Sequence, residues 1–153
     1  MLIHGTCVEL YGQGVLLRGP SGSGKSDLAL RLIDNGARLV ADDQVVLTKI
    51  AGRIQAAAPT QIAGRIEVRG IGIVDVATIE AVQMVLIVNL VAPADIPRMP
   101  EPYECLLAGI SLPTIALAPF EASAAAKVRL AVLVEKRNSR TYSTTAVKPT
   151  SDQ

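Results

Sequence analysis

Residues 19–26 read Gly19-Pro20-Ser21-Gly22-Ser23-Gly24-Lys25-Ser26, and this stretch decides the fold. It matches the pattern G-x-x-x-x-G-K-[ST] of the phosphate-binding loop without a break. The apolar run 15–18 before it predicts a short buried strand, and the run 26–33 after it predicts the start of a helix. Because strand, loop and helix follow one another in the order that such a loop requires, the sequence predicts an α/β domain that binds phosphate groups.

Each part of this phosphate-binding loop has a physical role. The three glycines allow backbone conformations that other residues resist, so successive amides can turn toward phosphate oxygens. The N-terminus of the following helix adds a partial positive charge at the same point. Lys25 is expected to reach the β- and γ-phosphates of a nucleotide, and the Ser26 hydroxyl is expected to bind Mg²⁺.

The composition excludes several classes of protein. Half of the 153 residues are hydrophobic but only 3% are aromatic, so Val, Ile, Leu and Ala must fill the core, as is typical of a sheet covered by helices. The net charge of +1 favours neither nucleic acid nor an anionic membrane as partner. The longest apolar run, 84–92, is far shorter than the roughly 20 residues that span a bilayer.

Two further features of the sequence predict a cytoplasmic protein. The N-terminus lacks the basic segment and apolar stretch of a signal peptide. Cys7 and Cys105 have no metal-ligand spacing, and we expect both to be free thiols in a reducing compartment.

The order of predicted elements indicates one domain over residues 1–137. The helix that begins at Ser26 is predicted to end at Asn35-Gly36, and a second, Ala-rich helix is predicted over 121–137. A Pro-rich loop is predicted over 92–104, and the polar residues 138–153 are predicted to be a disordered tail. The predicted strands are 8–11, 15–17, 38–41, 45–50, 53–57, 66–69, 82–91 and 112–118.

Two adjacent acidic residues, Asp42 and Asp43, follow the phosphate-binding loop closely. Only 16 residues separate Lys25 from Asp42, and one helix with one turn uses them, so both carboxylates end the very next strand. Ligands bind at such strand ends in open α/β sheets. A carboxylate there can hold Mg²⁺ or accept a proton from an attacking hydroxyl, and because neighbouring side chains diverge, the pair can divide these roles. The alternative is a solvated turn.

Four other residues are candidates with a plain structural alternative each. Glu67 and Arg69 share one face of a strand, where Glu67 can complete a magnesium shell and Arg69 can balance its charge, or the two can simply form a surface ion pair. Arg98 in the Pro-rich loop can stabilise charge on a transferring phosphoryl group, although most loop arginines are merely solvated. His4 stands alone, and a lone histidine is usually structural.

Taken together, these motifs resemble the catalytic domain of HPr kinase/phosphorylase in order and spacing. The phosphate-binding loop by itself is generic, and the stretches 39–43 and 66–76 make the resemblance specific. It covers residues 3–137 and rests on His4-Gly5, Tyr11-Gly12-Gln13-Gly14-Val15-Leu16-Leu17, the phosphate-binding loop, Leu39-Val40-Ala41-Asp42-Asp43 and Ile66-Glu67-Val68-Arg69-Gly70-Ile71-Gly72-Ile73-Val74-Asp75-Val76.

The resemblance implies a P-loop-containing α/β domain akin to phosphoenolpyruvate carboxykinase, with a mixed sheet and flanking helices. It implies ATP- and Mg²⁺-dependent phosphorylation of a serine on HPr, a small phosphocarrier protein, and in many members the reverse phosphorolysis. It assigns an acid/base role to Asp42, magnesium sites to Ser26 and Glu67, and active-site positions to His4 and Lys25. Arg98 falls where the family carries a catalytic arginine in a loop.

Departures from the family pattern leave parts of this assignment open. The separate N-terminal domain of long members is absent from the matching stretch, Asp27 and Ala37 stand where the family often has Glu and His, and the C-terminal helix is predicted to be shortened. The family's hexamer and its phosphorylase activity are therefore open for this chain, and a short form suits a nitrogen-type pathway as well as sugar uptake. The alternatives are a P-loop kinase for a small molecule and a non-catalytic ATP-binding regulatory module.

Overall fold

A computed structural model describes residues 1–60 and 64–147 of the chain. Within these residues the backbone forms eleven strands and two α-helices. The strands are β1 (Leu2–His4), β2 (Thr6–Leu10), β3 (Gln13–Arg18), β4 (Arg38–Ala41), β5 (Gln44–Ile50), β6 (Arg53–Ala57), β7 (Arg65–Val68), β8 (Gly72–Asp75), β9 (Ala81–Leu90), β10 (Tyr103–Leu107) and β11 (Ile110–Leu117), and the helices are α1 (Lys25–Asp34) and α2 (Ala124–Val147).

Nine of these strands form one mixed sheet around β9. The strand order is β1-β5-β6-β9-β3-β2-β4, and the β10–β11 hairpin joins the sheet where β11 pairs with β9. β9 runs parallel to β3 and to β11, and antiparallel to β6. Because β3, β9 and β11 run in the same direction, their carboxyl ends meet at one edge of the sheet, and the phosphate-binding loop leaves from that edge. β7 and β8 form a separate two-stranded hairpin.

Both faces of the central strands are buried, which explains their apolar sequence without polar alternation. On one face Val15, Leu17 and Val88 pack with Leu28 of α1 and Val128 of α2. On the other face a second core includes Leu16 and Ile87. The mixed α/β fold with flanking helices is therefore the one predicted.

The elements missing from the prediction are β1, β8 and β10. β10 lies partly inside the predicted Pro-rich loop and pairs with β11 through the two-residue turn Ala108-Gly109, in which both residues have positive φ, 50° and 82°. Such a turn matches the twist of a hairpin, but its usual signal is Asn-Gly or Asp-Gly. The sequence signal was therefore weak at this turn.

Helix α2 is the last element of the described part of the chain. It continues to Val147, ten residues beyond the predicted domain end at 137, and neither Gly nor Pro interrupts it. Residues 148–153 of the predicted tail lie outside the described residues, so the domain boundary stays a prediction. No helix in the described part of the chain combines the length and the apolar character needed to cross a membrane.

Candidate active site

The phosphate-binding loop connects β3 to α1 and faces an open cavity. Gly22 and Gly24 have positive φ, 81° and 100°, which other residues rarely adopt. A Cβ atom on Gly24 would also lie 2.9 Å from Cζ of Phe120, so a side chain there would collide with this ring. The backbone turn thus favours glycine at this position, and any side chain there would also have to displace the exposed Phe120 ring.

Lys25 is folded back onto the loop. Its side chain is buried, and Nζ donates hydrogen bonds to the carbonyl oxygens of Gly19, at 2.8 Å, and Pro20, at 3.0 Å. The hydrogen bonds satisfy a buried ammonium group that would otherwise be costly. They also keep a positive charge at the centre of the loop, where a phosphate would bind.

Asp42 is joined to the loop by two hydroxyl groups. Ser26 Oγ and Thr6 Oγ1 each donate a hydrogen bond of 2.9 Å to Asp42 Oδ1. Ser26 is the second residue of α1, Thr6 is the first residue of β2, and Asp42 directly follows β4. Three elements of the fold therefore meet at one carboxylate oxygen. Within the described residues, Oδ1 is the only side-chain oxygen of Asp42 that accepts a hydrogen bond, which leaves Oδ2 for another partner.

Asp43 turns away from Asp42, as the sequence predicted for two adjacent residues. Its φ of 72° is positive, and its carbonyl accepts a hydrogen bond of 3.0 Å from the amide of Gly5. His4 Nδ1 lies 3.4 Å from Asp43 Oδ1, and both side chains are at least half exposed. Asp43 lines the cavity, whereas Asp42 stands at the base of the loop.

The β7–β8 hairpin supplies the opposite wall of the cavity. Ile66 of β7 is buried in the core under α1, while Glu67, Val68 and Arg69 line the cavity. The cavity has a volume of about 490 Å³. It is bordered by Thr6, Ser21, Gly22, Gly24, Lys25, Ser26, Asp27, Leu30, Asp43, Glu67, Val68, Arg69 and Phe120.

Arg98 stands apart from these residues. It is exposed in the segment between β9 and β10, and it is not among the residues that border the cavity. The fold therefore brings together Lys25, Ser26, Asp42, Asp43, Glu67 and Arg69, with His4 at the edge beside Asp43. The catalytic role of Arg98 stays a prediction that requires the 91–102 segment to approach the cavity.

Five residues that border the cavity were not among the predicted site residues, and they are Thr6, Asp27, Leu30, Val68 and Phe120. Thr6 is fully buried and bonded to Asp42, and its only sequence signal is its place next to Gly5 in the matching stretch. Phe120 is the only phenylalanine of the chain and is 71% exposed beside Gly24. An unusual residue type on the surface was the available signal, but its place next to the loop depends on the tertiary fold.

An ion pair between the buried Glu9 and the half-exposed Arg38 supports the strand that leads to Asp42. Glu9 of β2 is almost fully buried and accepts hydrogen bonds from Arg38 Nε, at 2.8 Å, and from the amide of Gly12, at 2.7 Å. Burial by itself raises the pKa of Glu9, but the hydrogen bonds and the charge of Arg38 outweigh burial and lower this pKa. The pair therefore holds β2 against β4 as long as Glu9 is ionised.

The oxygen donors at the loop fit a magnesium ion that is bound together with phosphates. In the described part of the chain, no three His, Cys, Asp or Glu residues lie close enough to form a metal site by themselves. Mg²⁺ usually takes only one or two protein oxygens and completes its octahedron with water and phosphate oxygens. The Ser26 hydroxyl and the Asp42 carboxylate, whose oxygens lie 2.9 Å apart, could supply such a pair of oxygens.

Comparison with known proteins assigns the family. Residues 1–95 match the model of the family described as HPr Serine kinase C-terminal domain. The chain belongs to this family. The resemblance to HPr kinase seen in the sequence is thereby confirmed. The matched part of this chain includes the phosphate-binding loop, Asp42, Asp43, Glu67 and Arg69.

Individual relatives agree with this assignment. The chain is 46% identical over 84 residues to an HPr kinase/phosphorylase of Clostridium tetani and 54% identical over 81 residues to one of Caldanaerobacter subterraneus. These matches cover 55% and 52% of this chain but only 28% and 27% of the two relatives, so the chain spans about a quarter of the curated proteins that it matches.

A solved structure agrees with the whole fold. The structure of the Hpr(Ser) kinase/phosphatase from Coxiella burnetii superposes with a TM-score of 0.76 at 28% identity. The superposition covers 94% of this chain and 99% of that one. The likeness therefore extends beyond residue 95 into β10, β11 and α2.

Proposed function

We propose that this chain transfers the γ-phosphoryl group of ATP, bound with Mg²⁺, to a serine of an HPr-type phosphocarrier protein. The observation that carries this proposal is the joint hydrogen bonding of Ser26 and Thr6 to Asp42 at the base of the phosphate-binding loop. It puts a carboxylate that can accept a proton next to the hydroxyl that can bind magnesium. A serine kinase needs both groups within reach of the same phosphate.

The loop would bind the phosphates of ATP by charge and hydrogen bonds. The backbone amides at the start of α1 and its helix dipole favour an anion at this point. Lys25 would exchange its bonds to the Gly19 and Pro20 carbonyls for bonds to the β- and γ-phosphates. Because charge accumulates on these oxygens during transfer, a fixed ammonium group there lowers the barrier.

Ser26, Asp42 and Glu67 are the residues that would hold magnesium. The first two are hydrogen-bonded to each other, and Glu67 borders the same cavity as Ser26. When bound, Mg²⁺ would neutralise charge on the phosphate oxygens and help to orient them. Arg69, on the same wall, would balance the charge of Glu67 or position the γ-phosphate.

Asp42 would act as the general base. Its free Oδ2 would accept the proton of the substrate serine as the serine oxygen bonds to the γ-phosphorus and the bond to the leaving ADP breaks. In the reverse reaction, an oxygen of inorganic phosphate would bond to the phosphorus of phosphoserine to form pyrophosphate, the bond from that phosphorus to the serine oxygen would break, and Asp42 would return the proton to the serine oxygen. The same carboxylate therefore serves both directions.

The comparisons support the substrate part of the proposal. The two relatives are named HPr kinase/phosphorylase, and the structural neighbour is named for Hpr(Ser). The kinship to phosphoenolpyruvate carboxykinase, the cytoplasmic location and the hexamer implied by the resemblance belong to the same proposal.

Transfer of label from γ-labelled ATP tests the proposal. We expect the chain, with Mg²⁺, to label purified HPr-type carriers but not carriers in which the target serine is alanine. Added phosphate should then release the label as pyrophosphate if the reverse reaction exists. ATP binding without any serine-dependent label would contradict the protein-kinase assignment and favour a small-molecule phosphotransferase or a regulatory module.

A further inference from the structure

A second cavity lies beside the phosphate-binding loop, on the other side of Phe120. Its volume is about 450 Å³, within the range of small-molecule pockets. Its walls are Pro20 and Ser23 of the loop, the segment 90–93 that follows β9, and the segment 118–121 that follows β11. It therefore opens at the carboxyl ends of the parallel strands, the same sheet edge that carries the phosphate-binding loop, which is where ligands bind in open α/β sheets.

The walls of this second cavity are apolar. Apart from Ser23 and Glu121, the side chains that border it are those of Pro, Leu, Val, Ala and Phe residues. Polar backbone groups in the walls are paired within the protein: the amide of Val91 donates to Leu117, and the amide of Glu121 donates to Ala118. The cavity thus offers flat apolar surface and few groups that could bind a charge.

Phe120 forms the border between the two cavities and is held in place from below. Its ring is 71% exposed and packs against Gly24 of the loop. The carbonyls on either side of it, those of Pro119 and Glu121, both accept hydrogen bonds from the guanidinium of Arg31. Arg31 is itself paired with Asp27, at 3.0 Å, so the ring is anchored to the first turns of α1.

We infer that the second cavity binds the base of the nucleotide, with the Phe120 ring against the face of the base. The inference rests on the proposed function, since it takes the ligand of the loop to be a nucleoside triphosphate. The phosphates would lie over Gly22 and Gly24 in the first cavity, and the base would reach past Phe120 into the apolar one. Because few polar groups face the base, the shape of the cavity and stacking on Phe120 determine which base binds. Adenine and guanine nucleotides should therefore bind with comparable affinity.

Binding of two ligands that differ only in having a base tests this assignment. Calorimetry with Mg²⁺ compares ATP with inorganic tripolyphosphate, which carries the phosphates alone. We expect Phe120→Ala to weaken ATP binding about tenfold, the scale of one base–aromatic stack, and to leave tripolyphosphate binding within about twofold. The matched control is Leu106→Ala on β10, which removes an equally exposed apolar side chain, 71%, and should change neither affinity.

A second variant blocks the cavity without touching the ring. Ala92→Trp places a large side chain in the cavity wall, and it should also weaken binding of ATP but not of tripolyphosphate. Unchanged ATP affinity in both variants, equal losses for both ligands, or wild-type ATP binding no tighter than tripolyphosphate would each overturn the base assignment while the phosphate site stands. Failure of the wild-type chain to bind either ligand would overturn the proposed function and this assignment together.

Discussion

The two walls of the active-site cavity are built in different ways. The loop wall consists of residues 19–26 and of Asp42 at the base of the loop, and it is continuous with the central sheet. Partly buried hydrogen bonds from Lys25 to Gly19 and from Thr6 to Asp42 hold it in place. The hairpin wall, formed by β7 and β8, has no strand partner outside itself and packs on the core through the buried Ile66 and the partly buried Val68 and Val74.

Because of this difference, we expect the loop wall to carry the groups that react and the hairpin wall to carry groups that adjust the rate of reaction. The loop wall holds the groups that must stay fixed relative to the phosphates, since small displacements of a reacting group cost large factors in rate. The hairpin wall carries Glu67 and Arg69 on a small unit that is anchored at one buried side chain. We therefore expect changes in the loop wall to abolish transfer, and changes in the hairpin wall to weaken it.

The largest effect is expected from Asp42→Asn. It keeps the shape of the side chain but removes the proton acceptor, so transfer to the carrier should fall about thousandfold while ATP binding changes little. Steady-state transfer rates and calorimetry with ATP check the two parts. The matched control is Asp75→Asn on the hairpin, where the carboxylate is 88% exposed. Activity of Asp42→Asn near that of the control would remove Asp42 from the chemistry.

Next in size is the effect of Ile66→Ala on the hairpin wall. Removing a fully buried isoleucine should cost about 3 kcal/mol in the free energy of unfolding, because it deletes packing and leaves a cavity. Urea denaturation measures this loss. Ile73 on the paired strand β8 is 70% exposed, and Ile73→Ala should cost less than about 0.5 kcal/mol. Equal losses in both variants would mean that Ile66 is not the anchor.

A smaller effect is expected from Glu67→Gln. If this carboxylate completes the magnesium shell, the variant should need about tenfold more Mg²⁺ for half-maximal transfer, and saturating Mg²⁺ should restore most of the rate. Titration of activity with Mg²⁺ distinguishes a role of Glu67 in the magnesium shell from a role outside it. Glu80→Gln, at an exposed carboxylate outside the cavity, serves as the control. A lowered maximal rate with an unchanged Mg²⁺ requirement would place Glu67 outside the magnesium shell.

The smallest effect concerns the support beneath the loop wall, the Glu9–Arg38 pair. Glu9→Gln should reduce the free energy of unfolding by about 1–2 kcal/mol at neutral pH, because it removes a buried charge-assisted hydrogen bond. Since folding lowers the pKa of Glu9 from 4.5, the wild-type advantage is complete above that pH and is lost as pH falls through the lowered value.

Urea denaturation at several pH values tests this sign. The difference between wild type and Glu9→Gln should shrink toward acid pH, whereas Glu101→Gln at an exposed position should match wild type throughout. A difference that grows toward acid pH would contradict the assigned direction. The result sharpens the comparison of the two walls, since it measures how firmly β2 and β4 hold Asp42.

Local patterns in the sequence predicted the loop wall well. β3, the loop and α1 were located because the relevant residues are contiguous and the glycine, lysine and serine positions follow from local geometry. Asp42 could be placed beside Ser26 since the chain between them is long enough for only one helix and one turn. β1 and β10 were missed, because one has three residues and the other leads into an unusual turn.

By itself, then, the sequence determined the phosphate-binding loop, the strand end at Asp42 and the family, because these features reside in short contiguous stretches. The tertiary structure decided which distant residues join them. Thr6 reaches Asp42, the hairpin places Glu67 across the cavity, and Phe120 meets Gly24 only because strand pairing and core packing bring these segments together. Such contacts depend on long-range register and burial, which no local pattern of residues encodes.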